Sequence, residues 1–193
     1  AEVTGGSVTN VIQVARQESD LGIAMADVVS SAYAGTGRFP EPLPLRVLFT
    51  AYPNVVHMLS LRDSGIKTID DLAGKRVALG AQGSGTSVAA LNIITGLGLS
   101  LDDIAPRYLS FGETTTGLKD GTLDAGFVVG GLGIAAVTEL SVSRDIEIIA
   151  LSDAEIARLT QQFPAYSGYQ IPGETYSGVG ESRQTLGIWS AVV

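Results

Sequence analysis

The residues best placed for chemistry lie in Val77-Ala-Leu-Gly-Ala-Gln-Gly-Ser-Gly-Thr-Ser-Val-Ala-Ala-Leu91. Val77 to Leu79 reads as a short buried strand, Gly80, Gly83 and Gly85 as a loop, and Thr86 as the opening of a helix that continues to Leu97. Such a junction attracts anions, because the first helical turn leaves its N–H groups unpaired and glycines let backbone approach a ligand. Ser84, Thr86 and Ser87 add hydroxyls. Gly80 and Gly85 have the spacing of the nucleotide-binding Gly-x-x-x-x-Gly-Lys-[Ser/Thr] loop, but Thr86 stands where its lysine belongs. Terminal phosphate charge then lacks a side-chain partner, which argues against nucleotide hydrolysis. The residues favour Gly83, Ser84, Gly85 and Thr86 holding a small carboxylate or phosphate without reacting it; a ligand-free glycine turn is the alternative.

Other chemistries are short of residues. The chain has no cysteine and one histidine, so thiol catalysis, disulfides and a zinc cluster lack their ligands. His57 sits in an apolar strand and is expected to be structural rather than a base. No catalytic residue, metal or cofactor is expected. A net charge of −8 with scattered Lys and Arg argues against a nucleic-acid footprint. A hydrophobic content of 45% is ample for a core, and no apolar run of about 18 residues suggests a membrane span. The first residues lack the basic and apolar regions of a signal peptide, as a trimmed secreted chain also would. The 24 glycines in 193 residues exceed the ordinary share of about 7%, and they cluster after strands.

Strands alternating with helices must position the glycine loop. Helices are expected from Ser7, capped by Ser7 or a neighbouring glycine, from Val28 to Tyr33 with Asp27 as cap, and over Glu113–Lys119, Ile134–Leu140 and Asp153–Phe163. Single helical turns are expected at Thr68–Asp71 and Ser100–Asp103. Strands are expected at Asp20–Met25, Leu45–Ala51, Val55–Leu61, Tyr108–Phe111, Asp124–Val129, Ile146–Leu151 and Thr185–Val193. The stretch before Gly180 reads as irregular. This order predicts an α/β fold with mostly parallel sheets. Asp20-Leu-Gly-Ile-Ala and Asp124-Ala-Gly-Phe-Val echo one another, which suggests two similar lobes. Ligands of such sheets sit beyond the carboxyl ends of strands, a rule that selects Met25–Asp27, Gly80–Thr86 and Val129–Gly131.

Several blocks together carry a family resemblance: Glu2-Val-Thr-Gly-Gly-Ser-Val-Thr-Asn10, Asp20-Leu-Gly-Ile-Ala-Met-Ala-Asp27, Tyr52-Pro-Asn-Val-Val-His57, Asp63-Ser-Gly-Ile-Lys67, Gly74 through Thr86, and Leu118-Lys-Asp-Gly-Thr-Leu-Asp-Ala125. In order and spacing they resemble the TAXI family of TRAP transporter solute receptors. The resemblance implies an α/β, type-II periplasmic-binding-protein-like fold, with two doubly wound α/β lobes and a ligand cleft between them. It also implies that the chain is incomplete. Family members have an earlier strand and Gly-Thr-Gly-Gly-like loop, and helices after the segment like Trp189-Ser-Ala-Val-Val193. Residues 1–53 would then be a partial N-terminal lobe, and 54–193 the C-terminal lobe with a returning hinge strand near 185–193. Three places depart from the pattern: Met25-Ala26-Asp27 for Gln-Ser-Asp, Gly112-Glu113-Thr114 for Ser-Glu-Ala, and Gly131-Leu132-Gly133 for a Gly-x-Pro element.

On this reading the ligand-binding residues are Thr4, Gly5, Gly6, Ser7 and Asn10 from the first lobe, with Asp27 opposite a ligand ammonium and Tyr52 as a wall at the lobe crossing. Gly83, Ser84, Gly85, Thr86, Val129, Gly130 and Gly131 come from the second. Thr4–Asn10 and Asp27 have a capping role as the alternative, and Tyr52 a packing role at the hinge. The function expected is that of a non-enzymatic, periplasmic or otherwise extracytoplasmic receptor, not itself membrane-spanning and with no nucleic-acid partner. It would capture a glutamate- or glutamine-like carboxylate or another small organic anion and deliver it to TRAP membrane transporter subunits. The alternatives are an effector-sensing domain of a transcription regulator and an enzyme on the same two-lobed fold.

Overall fold

A computed structural model describes residues 2–193. The elements in chain order are α1 (Ser7–Ala15), β1 (Ile23–Met25), α2 (Ala26–Ala34), β2 (Phe49–Leu61), β3 (Arg76–Ala78), α3 (Gly85–Leu97), β4 (Ala105–Arg107), α4 (Phe111–Lys119), β5 (Ala125–Gly130), α5 (Ala135–Ser143), β6 (Ile146–Ile148), α6 (Asp153–Gln162), β7 (Tyr166–Ile171) and β8 (Arg183–Val192). The strands form one sheet in the order β1-β8-β2-β5-β3-β4, with β6 on β2 and β7 on β8.

Only β3 runs parallel to its neighbours, β4 and β5. The other pairings are antiparallel, which corrects the expectation of a mostly parallel sheet. Long β2 and β8 run side by side through its centre, and their register shifts between Thr50 and Pro53. The expected break at Tyr52-Pro53-Asn54 is therefore a bulge inside one strand, which bends the pair without ending it.

Both faces of β2 are buried from Val55 onward, which explains a run apolar at nearly every position. One face packs under α1, α2, α3 and α6, joining Val11, Val28, Val56, Ile93, Leu159 and Ile188 in one core. The other packs under α4 and α5, joining Leu59, Leu118, Val128, Val137 and Leu140. The first core runs without interruption from the N-terminal helices into α3. Fully burying an isoleucine such as Ile93 or Ile94 contributes about 1.5–3 kcal/mol.

Helix starts follow local chemistry. Ser84 caps α3, its hydroxyl accepting from Ser87 N–H at 3.1 Å. Ser110 with Glu113 and Ser152 with Glu155 make reciprocal capping boxes on α4 and α6. Four expectations of single elements fail. The strand expected from Leu45 begins only at Phe49, as the start of β2. Tyr108–Phe111 is not a strand, since Phe111 already belongs to α4 and the strand lies earlier at β4. The irregular stretch contains β7. Asp27 is not the cap of α2, which starts after Met25 without a side-chain cap.

Candidate functional site

The glycine loop forms as a junction from β3 into α3, whose first residue is Gly85 rather than Thr86. The hydroxyl of Ser84 satisfies Ser87 N–H, while the N–H groups of Gly85 and Thr86 lie in the first turn, where a helix offers them no partner. Thr86 itself is buried. Its methyl and Cβ fill the space beside Gly80, where an added Cβ would come within 2.5 Å.

The N-terminal turn meets this loop directly. Val8 N–H donates to the Gly83 carbonyl at 3.2 Å. Gly6, with φ at +116°, lies so close that a Cβ on it would be 2.9 Å from Ser84 Cα. A Cβ on Gly85 would be 2.3 Å from Met25 Sδ and 2.7 Å from Ser7 Oγ. Ser7 Oγ accepts from Met25 N–H at 3.1 Å. Thr4 donates its hydroxyl to Asn10 Oδ1 and accepts from Gly6 N–H at 3.1 Å, and Asn10 Nδ2 donates to the Ile23 carbonyl at 2.7 Å. Gly5 stands against Thr9 Oγ1 and the Gln82 carbonyl. Thr4, Gly5, Gly6, Ser7 and Asn10 thus come together with Gly83, Ser84 and Gly85.

Val129 and Gly130 end β5, which runs parallel to β3, and Gly131 opens the loop after it, on the same side as the glycine loop. Val129 is buried, whereas Gly131 has open space around its Cα. Tyr52 lies at the β2 bulge, 47% exposed. Across the pairing of β2 with β8, Pro53 faces Trp189, which is 46% exposed. In sequence, Trp189 is one residue of an apolar strand and carries no signal of its own. An exposed tryptophan within the buried run Thr185–Val192 of β8 marks the same end of the sheet as Tyr52.

Asp27 stands apart from this cluster. Its carboxylate accepts from Val28 N–H at 2.8 Å and from the Tyr166 hydroxyl at 2.9 Å. Tyr166 in turn accepts from Asn92 Nδ2 at 2.8 Å. Burial pushes the carboxyl up from 3.8 to about 6, against the lowering effect of those hydrogen bonds. Burial, and then the neighbouring Asp27 charge, raise Tyr166 as well.

His57 is fully buried and serves as a strut. Its Nδ1 lies 3.2 Å from the Val128 carbonyl and its Nε2 2.8 Å from the Tyr176 hydroxyl. Only one tautomer satisfies both: Nδ1–H donates to the carbonyl and Nε2 accepts from the phenol. Tyr176 also accepts from Gly133 N–H at 3.0 Å, which ties the loop after β5 to the segment between β7 and β8. Burial lowers the imidazole from 6.5 to about 4. A neutral, enclosed histidine with both nitrogens engaged has no site left for a substrate proton. Among the described residues, no three His, Cys, Asp or Glu side chains converge as they would on a metal ion.

Residues 1–193 match the NMT1-like family. Among solved structures, the chain is similar to the periplasmic aliphatic sulphonate binding protein SsuA of Escherichia coli, at 19% identity and a TM-score of 0.51, over 76% of this chain and 47% of that one. It is similar to the alkanesulfonate-binding protein SsuA of Xanthomonas axonopodis pv. citri, solved bound to MOPS, at 18% identity and 0.52, over 97% and 53%. A structure from Bordetella bronchiseptica RB50 matches at 18% identity and 0.57, over 97% and 51%. The chain spans about half the length of these structures. They show the fold to be the α/β, type-II periplasmic-binding-protein-like one.

Proposed function

The chain belongs to the NMT1-like family, and we propose that it forms part of an extracytoplasmic solute-binding receptor that holds a small organic anion or amino acid without reacting it. One observation carries the reading: within a binding-protein fold, the Thr4–Ser7 turn and the first turn of α3 are brought face to face. Residues 1–53 contribute to one lobe and 54–193 to the other, with β2 and β8 as connecting strands and the register shift between Thr50 and Pro53 as the pivot. The contact of Gly6 with Ser84 then corresponds to a closed arrangement. A solute enters when the Thr4–Ser7 turn lifts from the glycine loop, while α1 and α2 stay on the core they share with α3, and the turn closes again over it.

The anion is held by the N–H groups of Gly85 and Thr86, with the Ser7 hydroxyl beside them, since the Thr4 and Ser84 hydroxyls already donate to Asn10 Oδ1 and the Ala81 carbonyl, with Gly130 and Gly131 at the next loop and Tyr52 as a wall. Two hydrogen bonds to a charged group supply about 1.5–3 kcal/mol each, and a helix N-terminus about 0.3–2. Micromolar binding needs about 8 kcal/mol net, which these contacts reach only at their upper end and before the cost of ordering, so further contacts from the opposite lobe are required. The motif blocks from Glu2 to Ala125 support the TAXI branch, with TRAP membrane transporter subunits as recipients and a glutamate- or glutamine-like carboxylate as solute. The sulfonate-binding structures put aliphatic sulfonates beside carboxylates as the anionic group to test.

Titration calorimetry on the full-length protein with L-glutamate, L-glutamine, dicarboxylates and aliphatic sulfonates tests this. One compound should bind at one equivalent, and Gly131→Asp should weaken it. Open space at Gly131 accepts the side chain, so the new charge repels the anion without disturbing packing. Binding that survives Gly131→Asp and Tyr52→Ala unchanged would move the site elsewhere.

A further inference from the structure

Beside the glycine loop, but separate from it, a cavity of about 480 Å³ opens between α2, the loop after it, the flank of α3 and the turn from α6 into β7. Its size is within the range of small-molecule sites, about 300–1,000 Å³. Asp27 lines it, 6% exposed, and has no cationic partner among the described residues. A carboxylate offers about four acceptor positions. Val28 N–H and the Tyr166 hydroxyl fill two. A buried carboxyl held by two neutral donors is stabilised either by keeping its proton or by gaining a counter-cation. Arg38, exposed at the rim, forms no ion pair with the described residues. Phe39, Leu91 and Phe163 make the wall apolar.

We propose that this cavity is a second small-molecule site, which takes an amino acid with an apolar side chain. The ammonium pairs with Asp27, the carboxylate with Arg38, and the side chain rests against Leu91 and Phe163. Asn92 holds the Tyr166 hydroxyl toward Asp27 and so fixes the carboxylate that receives the ammonium. The elevated pKa of Asp27 is what an unpaired buried acid shows, and a bound ammonium would stabilise its charged form. The assignment is independent of the glycine-loop site, because it uses a different face of α3.

The test is a titration of the full-length, 15N-labelled protein with L-leucine, and with 4-methylpentanoate as the same acid without its ammonium. L-leucine should shift the signals of Thr36, Asn92 and Gln162 saturably, and 4-methylpentanoate should bind at least about tenfold more weakly, the loss of one charge-assisted contact. Asp27→Asn keeps an acceptor for Tyr166 and should cost a similar factor. Ser31→Trp fills the cavity from α2 and should abolish the shifts, which keeps the test decisive if Asp27→Asn does not fold. The proposal is overturned if L-leucine gives no saturable shift at millimolar concentration, if 4-methylpentanoate binds equally well, or if both variants bind as the wild type does. Shifts confined to Gly83–Thr86 would also overturn it, while supporting the glycine-loop site.

Discussion

Asp27 and His57 titrate within the same pH range, and their contributions to stability run in opposite directions. Burial raises the Asp27 carboxyl from 3.8 to about 6. The folded chain therefore holds this proton more tightly than the unfolded chain, so stability is full below pH 3.8 and declines as pH rises through 6. Burial lowers His57 from 6.5 to about 4. Here the unfolded chain takes the proton first, so stability is full above pH 6.5 and declines as pH falls toward 4. At 1.36 kcal/mol per unit, each effect comes to about 3 kcal/mol, and the two largely cancel in the wild type. Asp27→Asn removes one of them while retaining an acceptor for Tyr166. Urea unfolding from about pH 4 to about pH 7 should show the variant gaining about 3 kcal/mol relative to wild type across that range. Asp124, which its hydrogen bond from Arg76 holds at about 2, does not disturb the comparison. A stability difference constant with pH would refute the claim that Asp27 is buried without a counter-charge in the free protein.

Three further outcomes follow from contacts already described. Gly85→Ala places a methyl against Met25 Sδ and Ser7 Oγ, and thermal unfolding should register a loss of about 1–3 kcal/mol as the two turns are pushed apart; an unchanged midpoint would mean that the contact is loose. Tyr176→Phe leaves His57 Nε2 and Gly133 N–H without their partner, at about 1–3 kcal/mol for each group that stays dry, and hydrogen exchange should quicken at Gly133. Ser84→Ala removes the cap of α3 and should cost about 1 kcal/mol in urea unfolding, whereas Ser177→Ala should be neutral, because Ser177 uses only its backbone N–H toward Ser141 Oγ.

Local pattern carried much of the fold. The junction of β3 into α3 is punctuated by glycines and a capping serine, and Ser152-x-x-Glu155 marks the start of α6, so both are legible within a few residues, whereas the Ser110-x-x-Glu113 box of α4 hides in a stretch that reads as a strand. The strands that escaped lie where pattern weakens. β4 contains Pro106, tolerable because the strand is at the sheet edge. β7 pairs only with β8, and its Ser167, Gly168 and Gln170 read as loop. The bulge in β2 reads in sequence as a break between two strands, because Pro53 signals an interruption without saying whether pairing resumes.

The candidate site was legible as residue types but not as contacts. Thr4–Asn10 and Gly83–Gly85 are separate features in the sequence, and only the tertiary contact of the turn before α1 with the glycine loop brings Gly6 onto Ser84. Asp27 looked like a cap because Asp before an apolar helix usually is one. Its actual partner, Tyr166, sits on the unforeseen β7. The His57–Tyr176–Gly133 chain likewise joins segments that share no local signal.

The receptor reading is tested most directly by a crystal structure of the full-length protein grown with the solute that calorimetry identifies. The anionic group of that solute should lie within hydrogen-bonding distance of Gly85 N–H and Thr86 N–H, enclosed by the Thr4–Ser7 turn. A bound solute that touches neither the first turn of α3 nor that turn would contradict it.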